Sequence, residues 1–276
     1  MCLSWSLTIY AIRTITIIFG LFVTTANAVS GVIGDDERRS LADYAKQHGK
    51  LAENTRREFK SSGRIMCPFN AASAFLVHRN NIILTARHVI FPEKSMKAYA
   101  PVRSFGNCAF EISDGNTSTW YDVDTSTATY PENAQKSTTD RFDWMAFRLK
   151  KPIEGVTPYQ LPTSPISMGD KVTMVTIRQD GFPYDDWNER VFADCRIRKV
   201  ETIDGKAESG LRTDCSATTG ASGGALIRDV SGRLEVLGVQ SSTSRNCPKY
   251  KDRTCSSFAV GLNEQLKAAI LKLAAD

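Results

Sequence analysis

The stretch Asp214-Cys215-Ser216-Ala217-Thr218-Thr219-Gly220-Ala221-Ser222-Gly223-Gly224-Ala225-Leu226 sets one serine among glycines on a tight turn that runs into an apolar segment. A serine hydroxyl attacks a carbonyl efficiently only when a base takes its proton and N–H groups receive the oxyanion that forms. Neighbouring glycines let the backbone present those groups without a Cβ clash. Ser222 is therefore the candidate nucleophile, and the N–H groups of Gly220 and Ser222 are candidate oxyanion donors. Gly-Ser-Gly turns are common, so the motif needs a partner elsewhere in the chain.

The histidines supply the constraint. The chain has three, His48, His78 and His88, and all precede Ser222. The α/β-hydrolase nucleophile elbow also reads Gly-x-Ser-x-Gly, but it needs an acid and then a histidine after the serine, so chain order excludes that class. The order left is His, Asp, Ser. His88 closes Ile82-Ile83-Leu84-Thr85-Ala86-Arg87-His88-Val89, an apolar strand ending in small residues and then an imidazole. This stretch resembles the Leu-Thr-Ala-Ala-His-Cys signature of the chymotrypsin-like (trypsin-like) serine proteases. Gly220 to Leu226 likewise resembles their Gly-Asp-Ser-Gly-Gly-Pro-Leu. The resemblance runs from about residue 63 to residue 276. It implies an all-β fold of two six-stranded antiparallel Greek-key barrels, a C-terminal helix and an active site in the cleft between the barrels.

Asp143 is the third candidate. In Asp143-Trp144-Met145-Ala146-Phe147-Arg148-Leu149 it shares strand parity with Met145, Phe147 and Leu149, so its carboxylate points inward. A buried carboxylate must be paired or hydrogen-bonded, and orienting an imidazole through Nδ1–H is one arrangement that satisfies it; bonding to nearby backbone N–H groups is another. The segment resembles the family's Asp-Ile-Ala-Leu. The resemblance then assigns His88 as general base and acid, Asp143 as its orienter, Ser222 as nucleophile and Ser241 as a serine that hydrogen-bonds the aspartate.

Within the N-terminal 28 residues, Arg13 precedes an apolar run from Ile15 to Val23, and Ala26-Asn27-Ala28 has the small-x-small form of a signal-peptidase site. The run is short of the ~20 residues that span a bilayer, so cleavage after Ala28 and export, secreted or periplasmic, are expected, without stable membrane insertion afterwards. Export suits the cysteines. Cys2 leaves with the signal, and Cys67, Cys108, Cys195, Cys215, Cys247 and Cys255 remain as an even set. Their order suggests that neighbours pair, 67 with 108, 195 with 215 and 247 with 255, although six cysteines allow many other connectivities. Without a Cys-x-x-Cys, no metal or other cofactor is expected.

A formal charge of +5 from 35 basic and 30 acidic residues, without clustered Lys/Arg runs, points to no nucleic-acid partner; the expected partner is a peptide or protein substrate. Residues 29–62 read as an N-terminal extension or propeptide, 63–150 as the first barrel, 151–164, rich in Pro and Gly, as a connector, and 165–276 as the second barrel with its helix. Leu41, Tyr44, Ala45, His48 and Leu51 recur at helical spacing, which predicts one amphipathic helix with His48 in a structural role. His78, beside Arg79-Asn80-Asn81, reads as an exposed turn residue. Asn116-Thr117-Ser118 is a glycosylation sequon in a eukaryotic host. Leu262, Leu266, Ile270, Leu271 and Leu273 predict a closing helix on the second barrel.

Two departures from the family stand out. Ala221 replaces the aspartate that in animal members holds a newly cleaved N-terminus, and Val89 replaces the half-cystine after the histidine. Both look like the bacterial branch, and Val32-Ile33-Gly34-Asp35-Asp36-Glu37-Arg38 resembles the mature start of bacterial glutamyl endopeptidases. By resemblance, Ser216 and Ala217 lie at the base of the primary pocket and Gln240 to Thr243 along its wall. An aspartate at that base would select Arg or Lys; Ser216 stands there instead. Gln240 replaces the histidine of glutamyl endopeptidases, so small or uncharged polar side chains are expected first and glutamate second. Two other functions stay open: a protease-like binding protein, and an esterase using the same triad.

Overall fold

The computed structural model describes residues 31–68, 70–91, 107–115, 117–131, 142–177, 189–203, 206–244 and 247–275. The expected signal segment and the sequon at Asn116 lie outside these residues. The first barrel is built from β2 (Ser62–Cys67), β3 (Asn70–Leu76), β4 (Ile82–Thr85), β5 (Ala109–Ser113), β6 (Ser118–Thr129) and β7 (Met145–Leu149). Its strands follow the order β2-β3-β4-β7-β6-β5 and close through β2 against β5, with Ile65 opposite Phe110. Alternation drives the closure. Ile65, Phe75, Ile83, Phe110 and Phe147 are all fully buried, and a barrel hides every strand edge while filling its own interior.

The second barrel repeats that path with β8 (Lys171–Ile177), β9 (Arg190–Ile203), β10 (Lys206–Thr213), β11 (Ala225–Val230), β12 (Arg233–Thr243) and β13 (Ser257–Gly261). Its order is β8-β9-β10-β13-β12-β11, closed by β11 on β8, so both barrels interlock their strands in one Greek-key sequence. Met174, Ile197, Leu211, Leu226 and Leu237 fill it. A seventh strand, β1 (Arg38–Ser40), pairs with Val191–Ala193 of β9 and attaches the N-terminal segment to this barrel.

Two expectations about helices need correction. The single N-terminal helix is two, α1 (Leu41–Gln47) and α2 (Ala52–Glu58), because the chain turns at Gly49, whose φ is +62°. Ser40 caps α1 by accepting from Asp43 N–H at 3.1 Å. The final helix α4 (Glu264–Ala275) meets β7 and β4, strands of the first barrel, rather than capping the second. Its stripe of Leu266, Ile270 and Leu273 belongs to the same apolar core as those strands, so the C-terminus ties the halves together.

Arg190 does the same from inside. With 1% exposure it donates to Phe59 O at 2.8 Å, Ser113 O at 3.2 Å and Lys60 O at 3.4 Å. The start of β9 is thereby tied to carbonyls of the N-terminal half, which replace the water a buried guanidinium gives up. The connector also touches both barrels, with Tyr159 bridged to Val77 and Gln160 to Glu235. Disulfides join Cys67 to Cys108, Cys195 to Cys215 and Cys247 to Cys255.

Candidate active site

β4 runs into the short helix α3 (Arg87–Ile90), which turns the chain so that His88 leaves the barrel towards the cleft. Asp143 lies two residues before the start of β7, the neighbour of β4, where Thr85 is in register with Met145. Strand pairing thus brings the two residues together. His88 N–H donates to Asp143 Oδ1 at 2.7 Å, and Nδ1 lies 2.6 Å from Oδ2. Ser241 of β12 donates to the same Oδ2 at 2.5 Å. Burial alone would push the Asp143 carboxyl up, but hydrogen bonds from His88 and Ser241 and the nearby imidazole outweigh it and hold the carboxyl below its ordinary range.

Ser222 completes the arrangement from the second barrel. His88 Nε2 is 2.9 Å from Ser222 Oγ. With Nδ1 protonated and donating to Asp143, Nε2 is the acceptor for the serine proton, the tautomer a general base needs. The turn before Ser222 is closed by Ala221 N–H donating to Thr218 O at 3.0 Å, with Gly220 in the left-handed region at φ +97°. That is the position in a type II turn where a side chain is strained, which accounts for glycine there. Among the described residues, no acceptor engages the N–H groups of Gly220 or Ser222. The first barrel grips this loop: Ser73 Oγ donates to Gly220 O at 3.1 Å, and Ser73 N–H donates to Ser222 O at 3.0 Å.

Most polar groups of the residues expected to line the pocket are engaged within the protein. Ser216 Oγ accepts from Ile33 N–H at 3.2 Å, and Ala217 N–H donates to Gly31 O at 3.1 Å. A Cβ on Gly31 would fall 2.1 Å from Ala217 O and 2.5 Å from Thr243 Oγ1, so the N-terminal strap threads between those two residues and only glycine fits. Gln240 is 2% exposed; its Nε2 donates to Ser242 O at 2.8 Å, while its Oε1 is buried with no partner among the described residues. Reading the sequence locally could not reveal the strap, because its contacts join residues far apart in the chain.

The other histidines lie elsewhere. His48 packs against Tyr44 with the rings tilted by 31° and their centroids 4.2 Å apart, and its Nε2 sits 2.8 Å from Asp194 Oδ2. His78 sits in the left-handed region at φ +61° and is half-buried, its imidazole pushed towards the neutral form by burial and by Arg79. Among the described residues, no group of three His, Cys, Asp or Glu side chains is placed to hold a metal ion. Nor is any of their helices long and apolar enough to cross a membrane.

The trypsin-like peptidase domain matches residues 72–239, more than half of the chain. The chain belongs to the trypsin-like peptidases. No curated protein matches this peptidase by sequence. Among solved structures, a Glu endopeptidase matches with a TM-score of 0.62 at 16% identity, covering 89% of this chain and 100% of that one. The protease Anisep from Arthrobacter nicotinovorans matches with a TM-score of 0.57 at 13% identity, covering 79% and 96%. At such identities these neighbours speak to the fold, the two-barrel chymotrypsin-like architecture described above. With its family, the peptidase is of the serine type.

Proposed function

We propose that the protein is an exported endopeptidase that hydrolyses peptide bonds through an acyl-enzyme on Ser222. The observation that carries this reading is the continuous chain from Ser222 Oγ through His88 to Asp143, at 2.9 and 2.6 Å. His88 takes the Ser222 proton as the hydroxyl attacks the scissile carbonyl, then delivers it to the leaving amine. Water repeats the cycle in reverse, attacking the ester carbonyl while His88 accepts its proton, and Ser222 is regenerated. Asp143 keeps the imidazole in the required tautomer and stabilises its charged form. Gly220 and Ser222 N–H groups receive the oxyanion, each such donor contributing about 10²-fold or more in rate.

The primary pocket supports short, uncharged side chains at the residue before the cut. Gly31 occupies space between Ala217 and Thr243, and no carboxylate stands at the base to balance a cation. Gln240 Nε2 donates one N–H to Ser242 O, and Oε1, an acceptor, is left without a partner among the described residues, which favours hydroxyl and carboxamide donors over a carboxylate. The Glu specificity named for the structural neighbour is therefore proposed here only as a secondary preference. Export is supported by the N-terminal pattern and the three disulfides. The strap and β1 are packed into the second barrel, which supports residues 31–62 as part of the working enzyme rather than a discarded propeptide.

Incubation of the purified protein with a denatured, unstructured protein substrate tests the reading. Fragments should accumulate with the wild type and be absent with Ser222→Ala. Equal fragmentation by both would overturn it, and turnover of small esters without any peptide cleavage would favour the esterase reading.

A further inference from the structure

Three consecutive residues leading into the nucleophile turn, the last of them its first residue, are each held by the N-terminal strap. Ser216 Oγ accepts from Ile33, Ala217 N–H donates to Gly31 O, and Thr218 Oγ1 accepts from Arg38 Nη1 at 3.1 Å. The third contact differs in kind, because it delivers a buried cation to the first residue of the turn. The Arg38 side chain is 4% exposed, and Thr218 is likewise buried. The guanidinium does not wander: Nε donates to Asp36 Oδ1 at 2.8 Å and Nη2 to Asp36 Oδ2 at 2.7 Å, a two-pronged pairing that fixes its plane. Asp36 also accepts from Arg38 N–H at 3.1 Å. Partial burial opposes its charge, yet the Arg38 hydrogen bonds hold its carboxyl below the usual range. β1 anchors the backbone beneath, with Arg38 in register with Ala193.

What this clamp touches matters for the chemistry. Thr218 O is the acceptor that closes the turn to Ala221 N–H, and Gly220, whose N–H faces the developing oxyanion in the proposed mechanism, is the second of the two residues between. A shift of Thr218 would rotate that turn. The turn has no carboxylate of its own to fasten it, since Ala221 lies next to Ser222. Ser73 steadies Gly220 O from the first barrel, while Arg38 reaches the Thr218 hydroxyl from the strap.

From this geometry we infer that Arg38, locked by Asp36, is a positioning residue that organises the oxyanion turn through Thr218 Oγ1. The inference rests on the serine-peptidase reading above. The strap then acts as a built-in support for catalysis. It makes residues 31–40 necessary for turnover though none of them touches the reacting atoms.

The test uses the full-length processed protein and a peptide substrate taken from the wild type's own cleavage sites. Arg38→Ala and Thr218→Val should each lower kcat by 10-fold or more while KM changes less than threefold, because donors to the transition state are misplaced while ground-state contacts persist. Thr218→Ser, which restores the hydroxyl, should recover kcat to within threefold of the wild type. The pH at which activity falls by half on the acid side should stay put in all three, since the histidine and its partners are untouched. Should Arg38→Ala fail to fold, the Val and Ser pair at position 218 decides alone. Unchanged kcat in Thr218→Val, or an equal loss in Thr218→Val and Thr218→Ser, would overturn the inference. A wild type that does not cleave peptides at all would instead remove the serine-peptidase reading on which it stands.

Discussion

The Ile33 N–H donates to Ser216 Oγ at 3.2 Å, joining residues 183 positions apart, so the hydroxyl proposed for the base of the primary pocket is engaged by the protein's own backbone. A substrate side chain reaching that depth meets main chain rather than a free polar group. A cleavage-site profile on denatured proteins should show cuts after small or uncharged polar residues, fewer after glutamate and almost none after Arg or Lys. Cuts concentrated after basic residues would mean that the pocket lies elsewhere.

Asp143 supplies a prediction about acid. Its folded pKa lies below the ordinary value, so it stabilises the fold at pH above the unfolded carboxyl's pKa of about 3.9 and loses that contribution as pH falls through the folded value. Activity should fail at a higher pH than the fold does, as His88 takes up a proton and can no longer act as base. Asp143→Asn should reduce kcat by about 10⁴-fold and flatten the dependence of melting temperature on pH below about 4. A variant that keeps its activity, or whose acid melting curve matches the wild type, would contradict the role given to this carboxylate.

The disulfides close loops of 41, 20 and 8 residues, for which chain entropy gives about 4, 3 and 2.5 kcal/mol respectively. Paired Cys→Ala variants should therefore lose stability in denaturant titrations in the order 67/108, then 195/215, then 247/255. The smallest loop has a second consequence. Cys247 donates to Val32 O at 2.9 Å and accepts from Gly34 N–H at 2.8 Å, so its loss should raise KM by loosening the strap beside the pocket. A KM that does not move would separate the strap from substrate binding.

Much of this molecule is legible in its sequence because the decisive features are local. Glycines around Ser222, small residues before His88 and alternating apolar positions after Asp143 each report one short backbone segment, and the barrels follow from the same alternation. What stays hidden depends on residues far apart. Arg38 meets Thr218 across 180 positions and Ser73 meets Gly220 across 147, and neither pair carries a sequence pattern of its own. The stripe of α4 announces a buried face but not which barrel receives it, since Leu, Ile and Leu fit either. The N-terminal helix reads as continuous because apolar spacing survives the turn at Gly49, whose positive φ only the backbone reveals.

The role of Ser222 as nucleophile is tested most directly by mapping where a biotinylated fluorophosphonate attaches to the native protein. The serine should be modified at one site, on the peptide carrying Ser222, and labelling should fall at least 100-fold in His88→Ala, because Oγ then has no base at 2.9 Å to take its proton. No label, label on another serine, or equal label in His88→Ala would contradict the assignment.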